Sequence, residues 1–180
     1  MISNKLAFIG GSGIYKLDIL NEVVEHDIVS SFGKPSSKIL EGKVNGNSIF
    51  FLSRHGVGHR LSPSEINYRA NIECLKQLGI TDIISLSAVG SLKEDLDPGT
   101  FVIVDQFIDR TFARNKTFFD EDIVAHVSMA NPTSIGLMNA CEEAIKKEKI
   151  EYQRGGTYVV MEGPQFSTLA ESKLYRSWSA

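Results

Sequence analysis

Hydrophobic residues here fall in short continuous runs, separated by stretches where they recur at helical spacing. Leu6-Ala7-Phe8-Ile9 is an apolar run closed by Gly10-Gly11-Ser12-Gly13, which predicts a buried strand and then a loop of phosphate size. Ile39 to Val44 and Ser48 to Ser53 flank Asn45-Gly46, a dipeptide suited to the positive φ angles of a two-residue hairpin turn. Between Ser64 and Leu78, the residues Ile66, Ala70, Cys74, Leu75 and Leu78 share one helical face, and Gly79 supplies a stop. Ile80 to Ala88 is again continuously apolar enough for a buried strand, closed by Val89-Gly90-Ser91. Asp97-Pro98-Gly99 marks a turn before a further buried strand from Thr100 to Asp105. Asp109 to Asn131 is polar, mixed and aperiodic, and reads as a functional excursion or an oligomer contact, not as core. Thr133 is placed to cap a helix from Ser134 to Lys149, with Ile135, Met138, Cys141 and Ile145 on its inner stripe. Glu142 with Lys146 and Glu143 with Lys147 would decorate the outer face of that helix. Gly156 to Met161 is a strand, and Thr168 with Glu171 has the spacing of a capping box that opens a last helix toward Trp178.

Strands alternating with helices predict an α/β layer structure with a largely parallel sheet and one antiparallel hairpin. Residues 1–180 contain no repeat, low-complexity tract or linker, so they read as one domain or part of one.

Composition changes this picture only by exclusion. The 180 residues are 42% hydrophobic and 23% charged with a net charge of −3, which fits a globular protein and argues against nucleic acid or a membrane surface as partner. The first six residues lack the charged-then-apolar order of a signal peptide. Cys74 and Cys141 each lie on a helix's apolar stripe and are expected to be buried, reduced thiols. The expected location is the cytoplasm.

Candidate chemistry gathers at strand ends. The loop at Ser12 offers backbone N–H groups and a hydroxyl to an anion, or is simply a tight turn. It is not a dinucleotide fingerprint, because Lys16 stands where the third glycine belongs, and not a nucleophile elbow, because Ile14 does. Ser53-Arg54-His55-Gly56 offers a guanidinium fork and an imidazole, with Gly56 and Gly58 allowing close backbone approach. His55 and His59 are four apart, but the glycines argue against the helix that would aim both at a metal, and no metal is expected. Ser87-Ala88-Val89-Gly90 ends a strand in small residues, either as a packed turn or as an anion site on the sheet's carboxyl edge. At a fourth strand end, Met161-Glu162-Gly163-Pro164-Gln165-Phe166-Ser167-Thr168 presents an aromatic ring and hydroxyls to a planar ligand.

These blocks, together with Phe32-Gly33-Lys34-Pro35-Ser36, Asn67-Tyr68-Arg69-Ala70-Asn71, Gly90-Ser91-Leu92 and Asp105 to Thr111, resemble the trimeric purine nucleoside phosphorylase family over essentially the whole sequence. The resemblance implies a three-layer α/β/α fold with a mixed, largely parallel sheet. It implies a pentosyltransferase that phosphorolyses an N-glycosidic bond in purine and methionine salvage, acting as a homotrimer on a nucleoside and inorganic phosphate without other cofactor. By the same resemblance Ser12, Arg54, His55, Ser87 and Ala88 would hold phosphate. Phe166 would stack on the purine, and His126 would approach a neighbouring subunit's 5′ substituent pocket. Relatives that cleave 6-oxopurines carry Glu where Ser167 stands. Ser167 therefore implies a 6-aminopurine, and with it the branch that cleaves methylthioadenosine to adenine and methylthioribose 1-phosphate. Gln165 departs from the family's more usual Arg. The family's general acid, an Asp, is expected beyond Ala180, so residues 1–180 are expected to be incomplete at the C-terminal end and inactive by themselves. Two alternatives stand beside this reading: a phosphorylase for inosine, guanosine or methylthioinosine, and a non-catalytic nucleoside- or phosphate-binding domain.

Overall fold

The computed structural model describes residues 5–14, 17–119 and 122–180. Part of the first six residues, and residues 120–121 of the 109–131 excursion, lie outside that set. The protein divides into two compact units, residues 1–88 with 115–118 and residues 89–114 with 119–180.

The first unit is built on β1 (Leu6–Gly10), β2 (Asn21–His26), β3 (Ile39–Val44), β4 (Asn47–Ser53), α1 (Tyr68–Gln77) and β5 (Asp82–Leu86). They form a five-stranded sheet in the order β2-β3-β4-β1-β5. Here β1 runs parallel to both β4 and β5, while β2-β3 and β3-β4 are antiparallel. The expected hairpin is present, with Asn45 at φ 49° and Gly46 at φ 80° between the paired Val44 and Asn47. Ala7, Ile9, Ile39, Phe50 and Leu52 of the sheet pack with Cys74 and Leu75 of α1 as the core.

Helix α1 begins four residues later than its periodicity suggests. Glu65 closes a turn on Ser62, accepting the Ser62 N–H on its carboxylate (2.9 Å) and donating its own N–H to Ser62 O (3.0 Å). Asn67 then caps the helix, its Oδ1 accepting from Ala70 N (3.1 Å) while its Nδ2 donates to Phe32 O (2.7 Å). Strand β2 has no alternating signature; Val23 and Val24 are exposed on what is an edge of the sheet. Part of the polar excursion, residues 115–118, belongs to this unit. There Phe118 meets Phe32 edge-on, and Arg69 lies over the Phe32 ring while donating to Thr117 O.

The second unit holds β6 (Phe101–Ile103), β7 (Gln106–Arg110), α2 (Ile135–Glu148), β8 (Tyr152–Arg154), β9 (Thr157–Met161) and α3 (Leu169–Ser177). β6 pairs parallel with β8, and β7 parallel with β9. The single strand expected from Thr100 to Asp105 is interrupted at Asp105. The Asp105 carboxylate accepts the Gly156 N–H (3.0 Å), opposite a Gly155 at φ 82°, and the backbone passes there from one pair to the other. Ser134, not Thr133, caps α2; the Thr133 hydroxyl is drawn to Asp105 O and Met138 Sδ. The expected inner stripe of α2 is not buried: Ile135 is 68% exposed, and Met138, Cys141 and Ile145 are half-buried. The expectation of two buried thiols therefore holds for Cys74 only. On the other face, Glu142 meets Lys146 as expected and also takes up Tyr152 and Arg154. The capping box of α3 is formed in full by Thr168 and Glu171. Among the described residues, no helix is long and apolar enough to cross a membrane.

Candidate functional site

The register of the first unit's sheet levels three strand ends. Gly10 is paired with Ser53 on one side and with Leu86 on the other, all in parallel strands. The next residues, Gly11-Ser12, Arg54-His55 and Ser87-Ala88, therefore leave the same carboxyl edge side by side, the edge at which open α/β sheets place ligands. The exits are tied together: Arg54 N donates to Gly10 O (2.9 Å) and Gly11 N to Leu86 O (2.8 Å). The Arg54 Nη1 donates to Ser87 Oγ (3.0 Å), so guanidinium and hydroxyl already face one locus.

Gly11 is the residue whose role the sequence did not single out. A Cβ there would stand 2.8 Å from Arg54 Nη2, 2.8 Å from Leu86 O and 3.3 Å from Ser87 Oγ. The missing side chain is what lets the fork cross the end of β1. Ser12, Ser87 and Ala88 are exposed and Arg54 is half-buried, so this edge opens to solvent.

His55 turns inward. It is buried, and its Nδ1–H donates to Leu61 O (2.9 Å). Its ring stacks on His59 at 4.2 Å between centroids and 15° between planes, the packing of two rings against each other. With the Nδ1 proton committed, His55 presents a second N–H only as imidazolium. A cleft of ≈ 270 Å³ lies beside this turn, lined in part by Lys34, Gly56, Arg60 and Asn67. A guanidinium fork, hydroxyls and backbone N–H groups at one edge can hold a tetrahedral oxyanion.

The aromatic turn lies in the second unit. β9 ends at Met161, Gly163 takes φ 72°, and Gly163-Pro164 is a cis peptide. Phe166 is 92% exposed, its ring face available. The Ser167 and Ser172 hydroxyls share a hydrogen bond of 2.7 Å. His126 is exposed, and among the described residues no hydrogen bond joins it to this turn. Asp105 and Asp109 serve the backbone: Asp109 Oδ1 accepts from both Thr111 N and Thr111 Oγ1.

A family model described as the phosphorylase superfamily matches residues 5–180, which takes in every strand end above. The chain belongs to that superfamily. An S-methyl-5′-thioadenosine phosphorylase of Rhodospirillum rubrum is 58% identical over 173 residues, covering 96% of this chain and 59% of the relative. Its namesake in Thermofilum pendens is 48% identical, covering 98% and 67%. Among solved structures, methylthioadenosine phosphorylase from Schistosoma mansoni in complex with adenine superposes with a TM-score of 0.94 at 34% identity, covering 98% of this chain and 71% of that one. A methylthioadenosine phosphorylase from an antarctic soil metagenomic library gives 0.92 at 47%, covering 99% and 63%. The fold is therefore the nucleoside phosphorylase-like α/β class, with mixed and largely parallel sheet pairing. The chain spans 59% of the length of the Rhodospirillum rubrum relative.

Proposed function

We propose that the protein carrying this sequence phosphorolyses S-methyl-5′-thioadenosine to adenine and S-methyl-5-thioribose 1-phosphate, a step of purine and methionine salvage. The observation that carries the reading is the Arg54–Ser87 contact across the end of β1, in a sequence 58% identical to a relative bearing that activity's name.

In the reaction, a phosphate oxygen forms a bond to C1′ as the C1′–N9 bond breaks and its electron pair leaves on adenine, which takes up one proton, equal to the one that hydrogen phosphate loses in becoming the sugar phosphate dianion. The Arg54 fork, the Ser12 and Ser87 hydroxyls, the Ala88 backbone and His55 hold the nucleophile in line, so that much of the rate comes from positioning and charge stabilisation. Inorganic phosphate is the co-substrate, and this chemistry needs no other cofactor or metal. Phe166 stacks on the departing base. A 6-aminopurine has no proton on N1, so the Ser167 hydroxyl suits it where a carboxylate acceptor would be stranded. The 180 residues belong to one phosphorylase domain, a reading supported by a single family model that runs through both units. The assembly is a homotrimer in the cytoplasm, with His126 near a neighbouring subunit's pocket. Exposed Val124, Val127 and Met129 around His126 support burial of that stretch against another copy.

Turnover of methylthioadenosine and of inosine, each with phosphate, tests the substrate. Adenine release should exceed hypoxanthine release by about tenfold or more, the span open to a site built for one hydrogen-bonding pattern. Preference for inosine overturns the reading.

A further inference from the structure

β7 and β9 run parallel with Arg110 opposite Met161, so the loops that follow them start level. Glu162, the first residue beyond β9, is 6% exposed and turns its carboxylate onto the other loop. Its Oε2 accepts from Phe112 N (2.7 Å) and Ala113 N (3.1 Å). That loop answers through Arg114, whose Nη2 donates to Met161 O (3.3 Å) and Glu162 O (3.1 Å) and whose Nε faces Glu162 Oε1 at 3.6 Å. A buried carboxylate is tolerable only when its oxygens are matched in this way, and removing it leaves two amides without this acceptor and takes the opposite charge from beside Arg114.

What this lock holds is the turn that carries Phe166 and Ser167. Among the described residues, the hydrogen bonds that fix the turn lie toward its two ends, with Glu162 at the start and the Ser167–Ser172 hydroxyl pair and the Thr168–Glu171 capping box at the finish. Between them Phe166 is 92% exposed, so packing does not aim its ring. The residue after the lock, Gly163, is left-handed at φ 72°, so the direction in which the chain enters the turn is set directly beside Glu162.

We propose that Glu162 is a positioning residue for the purine. Its carboxylate, clamped by Arg114 and the 112–113 amides, sets the direction of the 163–167 turn and with it the pose of the Phe166 ring and Ser167 hydroxyl. This rests on the reading that the turn receives the base.

The test is calorimetric titration of the protein with adenine and, separately, with inorganic phosphate, for wild type, Glu162→Gln and Glu162→Ala. Hydrogen exchange at residues 112–113 and 163–167 and a thermal melt accompany each. Glu162→Gln keeps an acceptor oxygen for the two amides and loses the charge that Arg114 faces. Adenine affinity should fall about tenfold, or 1.4 kcal/mol, in Glu162→Ala and less in Glu162→Gln. Exchange should quicken in both segments, and phosphate affinity should not change. Should Glu162→Ala not fold, the ordering of wild type and Glu162→Gln carries the test. Adenine affinity unchanged in a folded variant overturns the proposal. So does a parallel loss of adenine affinity, phosphate affinity and melting temperature, which marks a general structural role. Wild-type protein that takes phosphate and no adenine overturns the purine reading instead, and the positioning role falls with it.

Discussion

The strand-end cluster proposed to hold phosphate and the turn proposed to receive a base are built by opposite means. The phosphate cradle stands on a five-stranded sheet whose β4, β1 and β5 are in register to the last residue, over a core in which Phe50 and Leu52 are buried. Its backbone is tied strand to strand, and its two principal side chains already touch. The turn proposed to receive the base stands on a two-stranded pair and leads into α3, whose one buried residue is Tyr175, and its aromatic is almost wholly exposed. An oxyanion rewards donors fixed in direction before it arrives, because reorganising them would cost part of the binding. A flat base rewards apolar area, which a ring held only at the ends of its turn can bring. On the proposed roles, the anion would meet rigidity from sheet register and the base would meet it from the Glu162 lock.

Stability should divide along the same line. Phe50→Ala removes a buried ring from the first unit's core and should cost about 3–5 kcal/mol. Ile135→Ala, on the exposed face of α2 in the second unit, should stay within about 0.5 kcal/mol. Urea unfolding of the two variants compares them directly; equal losses would erase the contrast.

A smaller effect separates the units by pH. The hydrogen bond from Lys146, then that from Tyr152, together with the Lys146 and Arg154 charges, holds the Glu142 carboxyl at about 2, below its ordinary 4.5. A carboxyl lowered on folding contributes stability that is complete above 4.5 and is lost as pH falls toward 2. Urea midpoints of the wild type should therefore drop between about pH 5 and pH 3 by more than those of Glu142→Gln, with the difference confined to signals from the second unit. Parallel curves for the two proteins would show that this network contributes nothing to folding.

Local chemistry was legible in the amino-acid order. Asn45-Gly46 announces its hairpin, Thr168 and Glu171 announce their box, and glycine and hydroxyl runs mark the ends of β1, β4 and β5. Such signals act within a few residues, so the sequence displays them directly. Features that depend on a distant partner were not legible. β2 and β8 are short or edge strands without alternation, and they exist because β3 and β6 pair with them. The interruption at Asp105 depends on Gly155 and Gly156, some fifty positions away. Helix α1 starts late because Glu65 prefers its turn on Ser62, a competition that periodicity does not register. In the candidate site, Arg54 and Ser87 were readable as donors, whereas Gly11's need to be glycine emerged only when the fork was seen to cross it. Glu162 sat in plain view beside the Gly-Pro turn, but its partners are the 112–113 amides and Arg114, which only the β7–β9 register brings opposite it.

The proposed phosphate site rests on three level strand ends, with Arg54 as its principal charge. Calorimetric titration of inorganic phosphate into the wild type and Arg54→Ala, at one ionic strength, is the sharpest test. A single saturable site is expected in the wild type, and about a hundredfold weaker binding in Arg54→Ala, the worth of one or two charge-assisted hydrogen bonds, with an unchanged thermal melt. Equal phosphate affinity in the two proteins, or no saturable binding in the wild type, would contradict it.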